Sequence, residues 1–172
     1  MSRATSRAAV VLTAAFVLLA ACGAAATPTL APGATPTTAP ASDAHARGAQ
    51  IVDVLVSGPD GAFLFEVTVA SPDTGCDSFA DWWEIVTPAG ELLYRRVLLH
   101  SHVSEQPFTR DGGPVATGPA DEVIVRAHMN TTGYATGAMR GSFRAGFRPV
   151  QLEPGFALDA EALAPLPNGC AF

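Results

Sequence analysis

From residue 48 onward, apolar and polar residues alternate with a period of two, and turn residues break the alternation every eight to twelve positions. Such a pattern gives a continuous apolar face only on an extended strand, because successive strand side chains point to opposite sides. Val52, Val54 and Val56 alternate with Asp53, Leu55 and Ser57 before Gly58-Pro59-Asp60-Gly61. Phe63, Phe65, Val67 and Val69 repeat the pattern up to Ser71-Pro72-Asp73. Further runs are expected over residues 82–87, 92–102, 123–129 and 139–147, with a short seventh over 108–115. Only DAEALA, residues 159–164, suggests helix. Six or seven short strands at this spacing predict an all-β fold, a single antiparallel β-sandwich of immunoglobulin or fibronectin III type. Trp82 or Trp83 would take the core tryptophan position of the third strand. The two point to opposite faces, so one is expected in the core and the other partly exposed, where it could stack on a carbohydrate.

The segment before this domain has a different character. Arg3 and Arg7 precede an uncharged apolar run from Ala8 to Ala21, which is short for a membrane span of about 20 residues and reads as a secretory signal. Its end, Leu19-Ala20-Ala21-Cys22, resembles the lipobox of bacterial lipoproteins. That resemblance implies cleavage before Cys22, acylation of Cys22, and a lipid anchor on the extracytoplasmic face of a cell membrane or outer membrane. Residues 1–21 are then the signal peptide. Residues 22–47, the lipidated cysteine and an Ala/Thr/Pro-rich stretch containing His45, are expected to be a disordered tether with too little apolar bulk to offset its ordering entropy. Residues 48–172 remain for one domain with a real core.

The chain has 10 basic residues, all arginine, and 16 acidic ones. Removal of Arg3 and Arg7 leaves 8 against 16, a net charge of −8 for the mature protein. An acidic surface with scattered arginines argues against nucleic acid as a partner. After Cys22 only Cys76 and Cys170 remain, and in an oxidising compartment an isolated pair is expected to be bridged.

The chemistry concentrates in HSHVSEQPFTR, residues 100–110. On one strand face, His100 and His102 would lie roughly 6.5 to 7 Å apart, close enough for both rings to lean onto one ion. His128, on the polar side of the fifth run, could supply a third nitrogen for zinc or copper, with Glu105 or Asp77 adding an oxygen. The remainder of the stretch reads as a structural corner built from Gln106, Pro107, Thr109 and Arg110, in which Glu105 can pair with Arg110 or Arg126. No nucleophile elbow accompanies Ser101 or Ser104.

Asp73-Thr74-Gly75, Asp77, Ala80-Asp81, Trp83, then His100-X-His102-Val103-X-Glu105-Gln106-Pro107-Phe108-Thr109-Arg110 resemble a family of uncharacterised secreted bacterial proteins. These carry a DTGxDxxADxW motif followed by HxHVxEQPFTR. The resemblance covers roughly residues 50–146 and implies no established activity or ligand. The leading expectation is therefore a lipid-anchored extracytoplasmic binding module with a histidine-based zinc or copper site. The alternative is a structural or adhesion-type cell-envelope module without metal. A metal-dependent hydrolase is third, and the balance leans against an enzyme.

Overall fold

A computed structural model describes residues 48–171; the signal segment, Cys22, the tether with His45, and Phe172 lie outside the described residues. Nine strands follow in order: β1 (Gln50–Ser57), β2 (Phe63–Ala70), β3 (Ala80–Val86), β4 (Leu92–Val97), β5 (Phe108–Val115), β6 (Val123–Met129), β7 (Gly133–Tyr134), β8 (Gly137–Ser142) and β9 (Gly146–Gln151). A single 3-10 turn, Leu158–Ala162, comes after them.

The strands form two antiparallel sheets. One has the order β1-β2-β5; the other runs β4-β3-β6-β8-β9, with β7 pairing onto β6. Phe63, Phe65, Val67 and Val69 of the small sheet face Trp83, Ile85, Val123, Val125 and Ala127 of the large one in a continuous apolar core. Each such aliphatic or aromatic side chain contributes about 1.5–3 kcal/mol when fully buried. The fold is thus the all-β sandwich that the alternation predicts, and Trp83 takes the core position. Gly112 of β5 lies directly under this tryptophan, where a Cβ would overlap the Trp83 and Tyr94 rings.

Five expectations are corrected. The sixth run is a hairpin, β8 and β9, and the helix is a 3-10 turn. On β1 a register shift between Ile51 and Asp53 turns Val52 outward, 44% exposed, and Ile51 is buried in its place, while Val54 is buried as expected. Strand β4 stops at Val97 and does not reach His102. Beyond it Leu98 is buried while Leu99 and Val103 are each 57% exposed, the reverse of the alternation assumed for a longer strand. Finally, neither tryptophan is exposed: Trp82 is as deeply buried as a core residue.

Trp82 is buried because the large sheet is covered on both sides. Every residue of β3 and of β6 is buried. Val86, Ile124 and Ala138 form a second apolar cluster on the outer face, capped by Leu152 and Phe156 of the C-terminal segment. The Cys76–Cys170 disulfide, with Cα atoms 5.6 Å apart and a sequence separation of 94, ties the end of that segment to the loop before β3. The Ala171 N–H donates to the Leu99 carbonyl nearby. In the loop-entropy description a closure of this length is worth at most about 4–5 kcal/mol.

Candidate functional site

Two polar clusters lie at opposite sides of β3, and each contains a buried histidine. The first sits on the outer face under the C-terminal segment. Register places Glu84 between Arg95 on β4 and Arg126 on β6. Glu84 is completely buried, and its carboxylate accepts from Arg95 Nε at 2.8 Å and from Arg126 Nε at 2.8 Å. Arg95 donates its other N–H groups to Glu84 and to the carbonyls of Ala160, Leu163 and Pro165, so all five donors of its guanidinium are used. Arg126 donates to the carbonyls of Phe156 and Ala157 at 2.6 and 2.8 Å. Ala157 holds a left-handed conformation, φ 49°, that a non-glycine residue keeps only where its surroundings fix it.

Aromatic rings enclose this triad. Arg95 lies 4.4 Å above Trp82 and Arg126 3.7 Å above Tyr134. The His128 ring stacks on Trp82 at 3.6 Å, and its Nδ1 is 2.6 Å from Asp81 Oδ1. Glu161 of the 3-10 turn approaches its Nε2 at 3.5 Å. Burial, and then the charge on Glu84, push the Tyr134 phenol up to about 12, so it stays protonated here. His128 does project away from the sandwich core, but it projects beneath the tail, where carboxylates already engage it.

The second cluster is the corner formed by residues 98–110. Asp73 is its anchor: Oδ1 accepts from Ser71 Oγ at 2.7 Å and from Ala80 N–H at 2.9 Å, and Oδ2 accepts from His102 N–H at 2.8 Å. Gln106 spans the same two segments, accepting from Ser71 N–H and donating to Ser71 Oγ and the His102 carbonyl. The Gln106–Pro107 peptide is cis, and it leads directly into Phe108 of the core. Thr109 and Thr68 share a hydroxyl hydrogen bond of 2.8 Å across β2 and β5. Arg110 pairs with Glu105 at 2.9 Å. The guanidinium beside Glu105 holds its carboxyl below the ordinary range.

His102 stacks on Phe108 with centroids 3.7 Å apart, and His100 stands against it at 4.6 Å. His102 is 3% exposed and neither of its ring nitrogens has a hydrogen-bond partner among the described residues; the nearest carboxylate oxygen, on Asp73, is 3.9 Å from Nδ1. Burial, then the positive charges of Arg110 and His100, lower its pKa, so the ring is neutral near pH 7. It forms one wall of a cavity of about 180 Å³ that Arg96, His100 and Arg110 also line. Arg96 makes no ion pair with a described residue.

The structure therefore brings His100 and His102 together and leaves His128 apart, engaged with Asp81 and Glu161. Asp77 is exposed in the disulfide loop, and Glu105 is taken by Arg110. Among the described residues no group of three or more His, Cys, Asp and Glu side chains is placed to hold one ion. The physical reason is the early end of β4. With the chain leaving the sheet at Leu98, His100 and His102 no longer sit on a face they share with β6. Two sets of residues were not singled out from sequence. Arg96 carried a signal, since it shares the even positions of its run with Tyr94, His100 and His102. The Glu84–Arg95–Arg126 triad carried none, since charged residues alternating with apolar ones in a strand ordinarily mark its solvent face.

A protein named "Putative lipoprotein" from Halomicrobium mukohataei is 41% identical over 115 residues, which is 66% of this chain. The matched region spans 57% of that relative's length. No family model matches the sequence. No solved structure matches it either. Among the described residues no helix is long and apolar enough to cross a membrane.

Proposed function

We propose that this chain is a lipid-anchored extracytoplasmic binding module, and that its β-sandwich receives an anionic group in the cavity between Arg96, His100, His102 and Arg110. The observation that carries the reading is His102: a buried imidazole with both nitrogens unpartnered, on the wall of a cavity that Arg96 and Arg110 also line. Buried polar groups almost always have partners, and a group without one in a cleft is a candidate for an external partner. Arg110 is paired with Glu105, so the cation that favours an anion in this cavity is Arg96, which has no ion pair with a described residue, although the chain as a whole is acidic. The lipobox at Cys22 and the name of the relative support the anchor.

The test is an NMR titration of the full chain in detergent with sodium acetate and with inorganic phosphate, following the imidazole resonances of His102. Saturable shifts that weaken in Arg96→Gln are expected. Absence of any saturable shift at His102 overturns the binding reading and leaves the corner a purely structural device. Zinc and copper titrations of the same sample test the competing occupant, an ion on His100 and His102. Tight uptake lost in the His100→Ala, His102→Ala double variant would replace the anion with a metal. Cys22→Ser is expected to move the chain from the membrane to the soluble fraction.

A further inference from the structure

Beside the small cavity is a larger one, of about 470 Å³, and Arg96 lines both. The two differ in chemistry. At about 30 Å³ per water, the small cavity holds roughly six water volumes, enough for a carboxylate or similar head but not for a ring and its substituents. The larger cleft falls within the range of small-molecule sites. Its lining includes Tyr94 and Leu64 as apolar surface, the Ser57 hydroxyl, and the carboxylates Glu66 and Asp111. Glu66 and Asp111 are partners in the register of β2 and β5, so they stand side by side. Ionised carboxylates only accept hydrogen bonds, so this cleft repels anions and selects donors. A single ligand crossing Arg96 needs an anionic head, a body rich in donors, and an apolar face for the tyrosine.

We infer that the occupant is an acidic sugar, a uronate whose carboxylate enters the small cavity against Arg96, beside the His102 ring and the Arg110–Glu105 pair, while its hydroxyls donate to Glu66 and Asp111 and its ring lies against Tyr94. A bare anion leaves the larger cleft empty, and a neutral sugar leaves His102 and Arg96 without a partner. The amount of room beside the paired carboxylates also exceeds what a lone ammonium group requires. This inference rests on the anion reading above and deepens it by naming the ligand class.

The experiment compares methyl glucuronide, methyl glucoside, acetate, inorganic phosphate and alanine as probes of the full chain in detergent, by calorimetry and by the His102 resonances. Methyl glucuronide is expected to bind about tenfold or more tightly than acetate or methyl glucoside, a factor that a few well-placed hydrogen bonds supply. The double variant Glu66→Gln, Asp111→Asn is expected to bring methyl glucuronide down to the level of acetate while leaving acetate unchanged. If methyl glucuronide binds no better than acetate, or if phosphate or alanine binds more tightly, the sugar inference is overturned while the anion reading stands. If no probe moves His102, both fall.

Discussion

The outer-face cluster and the corner contain the same kinds of residue, a buried histidine, arginines and carboxylates, yet they are in opposite states. Around Glu84, each donor of Arg95 finds an acceptor and His128 Nδ1 is held by Asp81, while its Nε2 has no hydrogen-bond partner among the described residues but has the Glu161 carboxylate 3.5 Å away. In the corner, His102 is buried with two idle nitrogens beside a cavity. Both sites incur a desolvation cost. The first recovers most of it within the chain, chiefly through Glu84 and five backbone carbonyls of the C-terminal segment. Buried charge by itself is therefore a poor pointer to function. The informative quantity is whether the buried groups are satisfied.

The contrast is broken most directly at Glu84. Glu84→Gln leaves two buried guanidinium groups without their counter-charge, and a loss of about 3–5 kcal/mol in urea denaturation is expected. A loss below about 1 kcal/mol would show that the tail carbonyls alone hold the two arginines. Next in size is the tie on the tail. The Cys76→Ser, Cys170→Ser pair is expected to cost about 2–4 kcal/mol and to speed amide exchange at Ala160 and Leu163, with little change at His102. Equal acceleration in the corner would mean that the two regions are not independent.

A matched pair of substitutions then separates satisfied from unsatisfied burial. His128→Phe keeps the stack on Trp82 but strands Asp81, and a loss of about 1–3 kcal/mol is expected. His102→Phe keeps the stack on Phe108 and removes two idle polar atoms, so stability should change by less than about 1 kcal/mol, in either direction, while acetate binding followed by calorimetry weakens. A large loss for His102→Phe would show that its nitrogens are satisfied in solution.

The smallest effect expected is a pH dependence. His102 has a folded pKa below the ordinary 6.5, chiefly because it is buried. Above that value both folded and unfolded forms are neutral and the stability is complete. As pH falls below it the unfolded chain takes up the proton first, so stability declines until the pH has dropped through the folded pKa. Saturating acetate should flatten this decline, because a bound anion favours the protonated ring, and His102→Phe should remove the part due to this residue. Denaturation midpoints measured across this range with and without acetate check the sign.

Much of the frame was legible. The alternation in Phe63–Ala70 and Val123–Met129 predicted two of the strands directly, and an isolated cysteine pair behind a signal-like N-terminus predicted the disulfide. The run from Leu92 to His102 was misjudged because periodicity has no marker for the residue at which a chain leaves its sheet. Leu98 still pairs with Asp81 through its N–H, but the turn after it resets which positions face inward. Trp82 was misjudged for a different reason. The segment that covers it is some 70 residues further on, and its own sequence, rich in Ala, Leu and Pro without clear periodicity, gave no sign of where it docks.

The sequence by itself determined the strand pattern, the two-faced character of β3 and β6, the pairing of the cysteines, and the concentration of polar chemistry in residues 100–110, since each depends on local periodicity or on counting residue types. Only the tertiary structure decided which polar groups are neutralised. Hydrogen-bond satisfaction depends on partners distant in the chain, which for Arg95 and Arg126 are Glu84 and the carbonyls of a tail held down by the disulfide, and for His128 Nδ1 is Asp81. For His102 no such partner arrives, and the cavity beside it is what the fold leaves open.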